Sequence, residues 1–202
     1  MSRFPLAGPC LAAVPLLASL PLPLPALAQA QVARSTPAAT TMVMNTNISQ
    51  AQVMQAQQAW CDALLSISRA YRSGGFSQAR ATAEKVLDQA YGYGYGPVAF
   101  KPTLTSGAQT FRATKQGALA YFVGGDPAYP NDKGFALKPW DKCALRTQVI
   151  QLHGIVAITM GNVDLTDSNG KVTTVDKTWA FLREPDGETR IVLHHSSLPY
   201  QP

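Results

Sequence analysis

Residues 138–197 read KPWDKCALRTQVIQLHGIVAITMGNVDLTDSNGKVTTVDKTWAFLREPDGETRIVLHHSS. Four extended segments, at about 138–152, 155–166, 172–183 and 189–197, alternate here with turns at His153-Gly154, Asn169-Gly170 and Asp186-Gly187. Glycine after a polar residue between two β-rich runs is a strong short-range hairpin signal. Strands joined by such short turns run antiparallel, so this stretch predicts a meander.

Upstream the periodicity changes. Ser49 can cap a helix to about Ser73, because Val53, Trp60, Leu64, Ile67 and Tyr71 recur at helical spacings, and Gly74-Gly75 stops it. Ser77 can cap a second helix with Ala79, Ala83, Val86, Leu87 and Ala90 on one stripe. The run Tyr91–Pro97 alternates tyrosine with glycine and reads as a loop, with part of a pocket lip as the alternative. Val98–Leu104 and Gln109–Ala113 read as two short strands, Thr114 caps a short helix through Val123, and a Pro- and Asp-bearing connection leads to Gly134. Helices followed by a meander they can cover make an α+β domain, a bent sheet closed on one side into a cone with a cavity.

The chain opens with Arg3 and no acid, an apolar run from Leu11 to Leu22, and Ala26-Leu27-Ala28. That is the pattern of a cleavable signal peptide over residues 1–28, and Pro15, Pro21, Pro23 and Pro25 break the run against a membrane span. The expected address is periplasmic or extracellular. Residues 29–48 carry no apolar period and read as a disordered lead-in, leaving residues 49–202 as one domain. Cleavage removes one base, so 17 − 1 = 16 bases face 12 acids and the charge falls from +5 to +4. The bases are scattered singly, which argues against a nucleic-acid surface. Cys10 leaves with the signal. Cys61 and Cys143 then remain for one disulfide or two separate buried thiols, and an oxidising compartment favours the bond.

Three strings carry a family resemblance: Ile191-Val-Leu-His-His-Ser-Ser-Leu-Pro199, Ala99-Phe100-Lys101-Pro102 and Asp176-Lys177-Thr178-Trp179. With the order of elements, they resemble the nuclear transport factor 2-like (NTF2-like, SnoaL-like) superfamily, most nearly the association, or hub, domain of calcium/calmodulin-dependent protein kinase II. The resemblance spans roughly residues 50–199 and implies the cone fold. It also implies a pocket for small carboxylates served by arginines of the last two strands. Carried over, one arginine falls on Lys177, which keeps the charge, and another on Ser196, which does not. Nothing resembles a kinase domain.

Strand parity sorts the candidate site. With even-length turns, Met160, Asn162 and Asp164 share a face with Lys177, Trp179 and Phe181, with Val192, His194 and Ser196, and with Cys143, Leu145, Thr147 and Val149. Bulky apolar members make this the expected helix-covered interior. Asp164, Asn162, Lys177, His194 and Ser196 would then converge in an apolar cavity. Cys143 would face the first helix, which brings a Cys61–Cys143 disulfide within reach. A bulge at a turn would exchange the two faces.

Two functions follow. One is a binding module that dimerises through its sheet and holds a small, anionic ligand by Lys177, Asn162 and Ser196, with Trp179 and Tyr71 as aromatic walls. The other is a SnoaL-like enzyme in which His194 acts as general acid or base, tuned by Asp164. Neighbouring His194 and His195 point to opposite faces of a strand and cannot share one ion, so no metal is expected, and no cofactor. The chain lacks a Gly-x-Ser-x-Gly turn, a His-Glu-x-x-His helix and a phosphate-binding glycine loop.

Overall fold

The computed structural model describes residues 45–202. The expected signal peptide and most of the lead-in lie outside them. The lead-in's last residues are ordered: Ile48 is buried and its N–H donates to the Gly154 carbonyl at 2.8 Å, while Arg183 Nη1 donates to the Asn45 carbonyl at 2.8 Å.

Helix α1 (Gln50–Ala90) starts at Ser49, whose hydroxyl accepts from Gln52 N while the Gln52 side chain accepts from Ser49 N, a reciprocal capping box. It breaks at Gly75, so the two expected helices appear as one kinked element. Helix α2 (Lys115–Val123) is capped by Thr114 and ended by Gly124. Strand β1 (Ala99–Lys101) is followed by a 3-10 turn at Gly107–Gln109 instead of the second short strand expected there. The meander is β2 (Trp140–His153), β3 (Val156–Asp167), β4 (Val172–Arg183) and β5 (Thr189–Ser197). The sheet order is β1-β5-β4-β3-β2, with β1 parallel to β5 and all other pairs antiparallel. The α1 stripe of Val53, Trp60, Cys61, Leu64 and Ile67 covers one face of this sheet and forms the core with Phe100, Phe122, Val163, Leu165, Trp179 and Phe181. This is the α+β cone of the nuclear transport factor 2-like fold.

Two hairpin loops are odd where even loops were expected. In the first, Asp167 N donates to the Lys171 carbonyl at 3.0 Å and Gly170 N to the Asp167 carbonyl at 3.0 Å, leaving Ser168-Asn169-Gly170 as the loop. Gly170 takes φ +79°, and Gly187 takes φ +89° in the matching loop Pro185-Asp186-Gly187. A type I turn closed by a left-handed residue needs three residues, and glycine pays no Cβ penalty in the third. Lys177 therefore pairs with Gly161, not with Asn162, and Trp179 with Thr159, not with Met160. Met160, Asn162 and Asp164 leave the interior, which takes Ala157, Thr159, Val163 and Leu165 instead.

Bulges correct the other strands. An irregularity between Ala180 and Phe181 cancels the odd β4–β5 loop, so Phe181 faces Ile191 instead of the expected Val192, yet Trp179 still pairs with His194 and Lys177 with Ser196. A bulge between Thr147 and Val149 likewise keeps Cys143, Leu145 and Thr147 toward α1 and turns Val149 out to 48% exposure. Thr147 Oγ1 donates to Gln57 Oε1 and Gln57 Nε2 to Thr159 Oγ1, both at 3.1 Å, which satisfies a buried amide against the sheet.

Cys61 and Cys143 are bonded, with Cα atoms 5.6 Å apart across a sequence separation of 82. In the chain-entropy description a loop of that length stabilises by about 4 kcal/mol. Cys61→Ala combined with Cys143→Ala is expected to lower the urea unfolding free energy by about 2–5 kcal/mol. A loss below ~1 kcal/mol would show that the bond adds little to the packing of α1 on β2.

Candidate functional site

The inner ends of β4 and β5 meet α1, α2 and β1 around a narrow crevice that its own side chains nearly fill. Its walls include Trp60, Phe100, Phe122 and Phe135, and its polar groups come from Thr103, Tyr121, Lys177, His194 and Ser196. Each polar residue has a local reason for its place. The β4–β5 pairing turns Lys177, His194 and Ser196 inward together, β1 runs beside β5 and delivers Thr103 just past its end, and Tyr121 lies on the fully buried helix α2.

The crevice has two chemical halves. In the first, Thr103 Oγ1 and Ser196 Oγ lie 2.6 Å apart, and the buried Tyr121 hydroxyl lies beside Thr103 and Leu104 without a well-formed hydrogen bond among the described residues. Lys101 Nζ donates to the Ser196 carbonyl at 2.8 Å and steadies that strand end from behind. In the second half, Lys177 Nζ lies 2.7 Å from His194 Nε2, and Tyr91 Oη lies 2.9 Å from His194 Nδ1. Trp60 Nε1 donates to Tyr91 Oη at 3.1 Å. The His194 ring stacks on Phe100 at 4.6 Å between centroids, and Lys177 Nζ stands 4.2 Å over the Trp60 ring.

Burial dominates the electrostatics. Lys177 is 2% exposed, and among the described residues no carboxylate forms an ion pair with it. Desolvation holds its amine well below the ordinary lysine range. His194 is also held well below its ordinary value, by burial first, then by Lys177 and His195. Burial raises the Tyr91 and Tyr121 phenols, so both remain O–H groups at neutral pH.

The expected site is thus assembled in part. Lys177, His194, Ser196 and Trp179 come together; Trp179 packs 5.6 Å from Trp60 and 5.7 Å from His194, centroid to centroid. Asp164 lies on the outer face, where it accepts from Arg146 Nη2 at 2.8 Å and from Thr174 Oγ1 at 2.6 Å. Asn162 is on that face too, donating to Asp176 Oδ1 at 2.7 Å. Neither can reach the crevice, so the His194–Asp164 dyad does not form. Tyr71 is 40% exposed and lines an adjoining open hollow with Leu104 and Lys138. Sequence reasoning missed Thr103, Tyr121 and Tyr91. The signals available were a threonine just after the Ala99–Pro102 string and a phenol within an otherwise apolar helix. Among the described residues, no three His, Cys, Asp or Glu side chains gather as metal donors.

This cone and crevice have known counterparts. The crystal structure of a putative calcium/calmodulin-dependent protein kinase II association domain from Xanthomonas campestris is 20% identical. It covers 81% of this chain and 97% of its own with a TM-score of 0.52, a likeness of fold. Closer in sequence, the crystal structure of the iota-carbonic anhydrase from a cyanobacterium complexed with bicarbonate is 53% identical. It covers 81% of this chain and 100% of its own, with a TM-score of 0.79. A metal-independent carbonic anhydrase from Nostoc sp. (strain PCC 7120 / SAG 25.82 / UTEX 2576) is 54% identical over 161 residues, 80% of this chain and 78% of that one. The family described as metal-independent carbonic anhydrase matches residues 51–198. The chain belongs to that family, which the kinase-hub resemblance did not reach although it reached the fold.

The buried pair has a consequence for stability. As pH falls, the unfolded chain takes up a proton on Lys177 below its ordinary 10.5 and on His194 below 6.5, and the folded chain resists both. The two groups therefore weaken the fold progressively as pH drops through those values. Lys177→Met is expected to raise stability at pH 7 by about 1–4 kcal/mol, the scale seen when buried charged groups give way to apolar ones. The gain should shrink toward pH 10. A melting temperature that falls, or that gains equally at both pH values, would contradict this.

Proposed function

We propose that this chain interconverts carbon dioxide and bicarbonate at this narrow crevice, using protein side chains alone. One observation carries the reading: three buried hydroxyls, of Tyr121, Thr103 and Ser196, share a small aromatic-walled crevice with a buried amine–imidazole pair. Membership of the metal-independent carbonic anhydrase family supports it, as does the bicarbonate complex of the cyanobacterial relative.

Carbon dioxide is apolar overall and suits walls of Phe100, Phe122, Phe135 and Trp60. During hydration a water oxygen bonds to the carbon, one C=O electron pair moves onto its oxygen, and a water O–H breaks. The growing negative charge falls on the substrate oxygens, where hydroxyl donors held in a water-poor site are most effective. Thr103, Ser196 and Tyr121 supply those donors. The proton goes to the His194–Lys177 pair, both members of which burial pushes toward their uncharged forms. The reverse reaction starts from a small anion, which accords with the anionic ligand expected from the sequence.

The setting is proposed as exported, on the pattern of residues 1–28 and in keeping with the Cys61–Cys143 bond. The homodimer or higher homo-oligomer expected from the sequence is proposed to meet through the outer sheet face, where Leu152, Ile158 and Met160 remain exposed.

Stopped-flow carbon dioxide hydration in chelator-treated buffer tests the reaction. Tyr121→Phe and Ser196→Ala are each expected to lower kcat/KM by about 10²–10³, the cost of removing one oxyanion donor. Asp164→Asn should stay within about two-fold of the parent, because a surface substitution of that kind is close to neutral. A parent chain no faster than buffer, or a fully active Tyr121→Phe variant, would sink the proposal. Because burial holds His194 well below its ordinary 6.5, its own titration should not show as a fall in activity as pH drops through that value.

A further inference from the structure

We infer that Tyr91 is a positioning residue which locks His194 as its Nε2–H tautomer and thereby presents Lys177 as a neutral amine, the catalytic base of the crevice. The inference rests on the hydration reading for its chemistry, but its geometry stands separately.

Hydrogen-bond donors can be counted along one buried chain. The Trp60 indole N–H can only donate, and it donates to Tyr91 Oη. The Tyr91 hydrogen then needs an acceptor, and the one atom within reach is His194 Nδ1 at 2.9 Å. If Nδ1 carried the ring hydrogen instead, Tyr91 Oη would face two donors and its own O–H would be buried without a partner. A buried, unpaired hydroxyl costs about 1–3 kcal/mol. With Nδ1 accepting, neutral His194 must bear its hydrogen on Nε2. That N–H points at Lys177 Nζ, 2.7 Å away. An ammonium offers only donors and would set N–H against N–H at that distance; a neutral amine offers a lone pair.

The surroundings of Lys177 agree. The titratable groups around it are His194 on β5, Tyr91 after α1, Tyr121 on α2 and Lys101 on β1 behind Ser196, with His195 on the far face of β5. None is a carboxylate. Burial lowers the amine in the same sense.

The proton transfer balances as follows. The Lys177 lone pair turns from Nε2–H toward the attacking water and takes one proton as the water oxygen bonds to carbon. The products are bicarbonate and the Lys177 ammonium. That ammonium lies over the Trp60 face, 4.2 Å from its centre, where cation–π attraction partly replaces lost hydration. Release of the proton to solvent restores the amine.

The chain has three histidines, so ¹⁵N NMR of the full-length protein labelled at histidine can assign His194 by its loss in His194→Gln. The parent is expected to carry its hydrogen on Nε2 at pH 7–8. Finding it on Nδ1 would overturn the inference, whatever the hydration assay reports. Tyr91→Phe removes the O–H that holds Nδ1 as an acceptor, so Lys177 can become an ammonium donating to Nε2. The acid limb of the kcat–pH profile should move up by at least one unit, with kcat at pH 7 falling about ten-fold or more and the KM for carbon dioxide unchanged. An unmoved pH profile in a folded Tyr91→Phe protein would also overturn it. An inactive parent chain with the Nε2–H tautomer would defeat the hydration reading and the base role together, and leave the tautomer assignment standing.

Discussion

The Lys177–His194 contact depends on strand register more than on either residue. The odd loop at Pro185–Gly187 would by itself set Lys177 and His194 on opposite faces, and the irregularity between Ala180 and Phe181 restores the match. Because side chains alternate with a period of two, a slip of one residue would carry the whole inward set to solvent. Buried side chains lie on both sides of the irregularity: Phe181 and Ile191 before it, and Trp179, His194 and Ser196 beyond it. The same apolar pressure that fixes the sheet leaves a lysine in the core without an acid beside it.

That lysine is a local conflict with the hydrophobic core, of the kind expected where structure serves chemistry instead of stability. It is tolerated because two indole rings, of Trp60 and Trp179, and an imidazole surround it. Trp60 is central to this arrangement. Its indole N–H closes the chain through Tyr91 to His194, its face lies under Lys177, and its neighbour Cys61 is tied to β2. The disulfide, the capping box and the buried Gln57 amide thus all bear on one thing, the seating of α1 against the sheet. The hydroxyl half of the crevice has different anchors. Thr103 and Tyr121 come from β1 and α2, held through the β1–β5 pairing and the Thr114 cap.

Both halves are small, buried and without arginine, which separates this site from the arginine-lined pocket implied by the kinase-hub resemblance. Ser196 stands where that pocket would have a second cation, and it forms a hydroxyl pair with Thr103 instead. One substitution therefore changes the chemistry from gripping a carboxylate by charge to donating hydrogen bonds within an aromatic wall. The shared cone carries either chemistry, because fold does not settle function.

The sequence by itself determined the α+β class, the four-stranded meander and the Ser49 and Thr114 caps, and it left a Cys61–Cys143 bond and an inward Lys177, His194 and Ser196 as expectations that the tertiary structure met. These are signals of local periodicity and turn chemistry, legible without knowing what packs where. Tertiary structure decided the rest. Whether Asn169-Gly170 sits in a two- or a three-residue loop moves Asp164 from the crevice to Arg146, and the dipeptide is compatible with both. Thr103, Tyr121 and Tyr91 join the site only because β1 pairs with β5 and α2 folds under the cone, contacts between segments separated by about 75–105 positions. No local pattern encodes such meetings; they follow from where buried surface can be closed around one core.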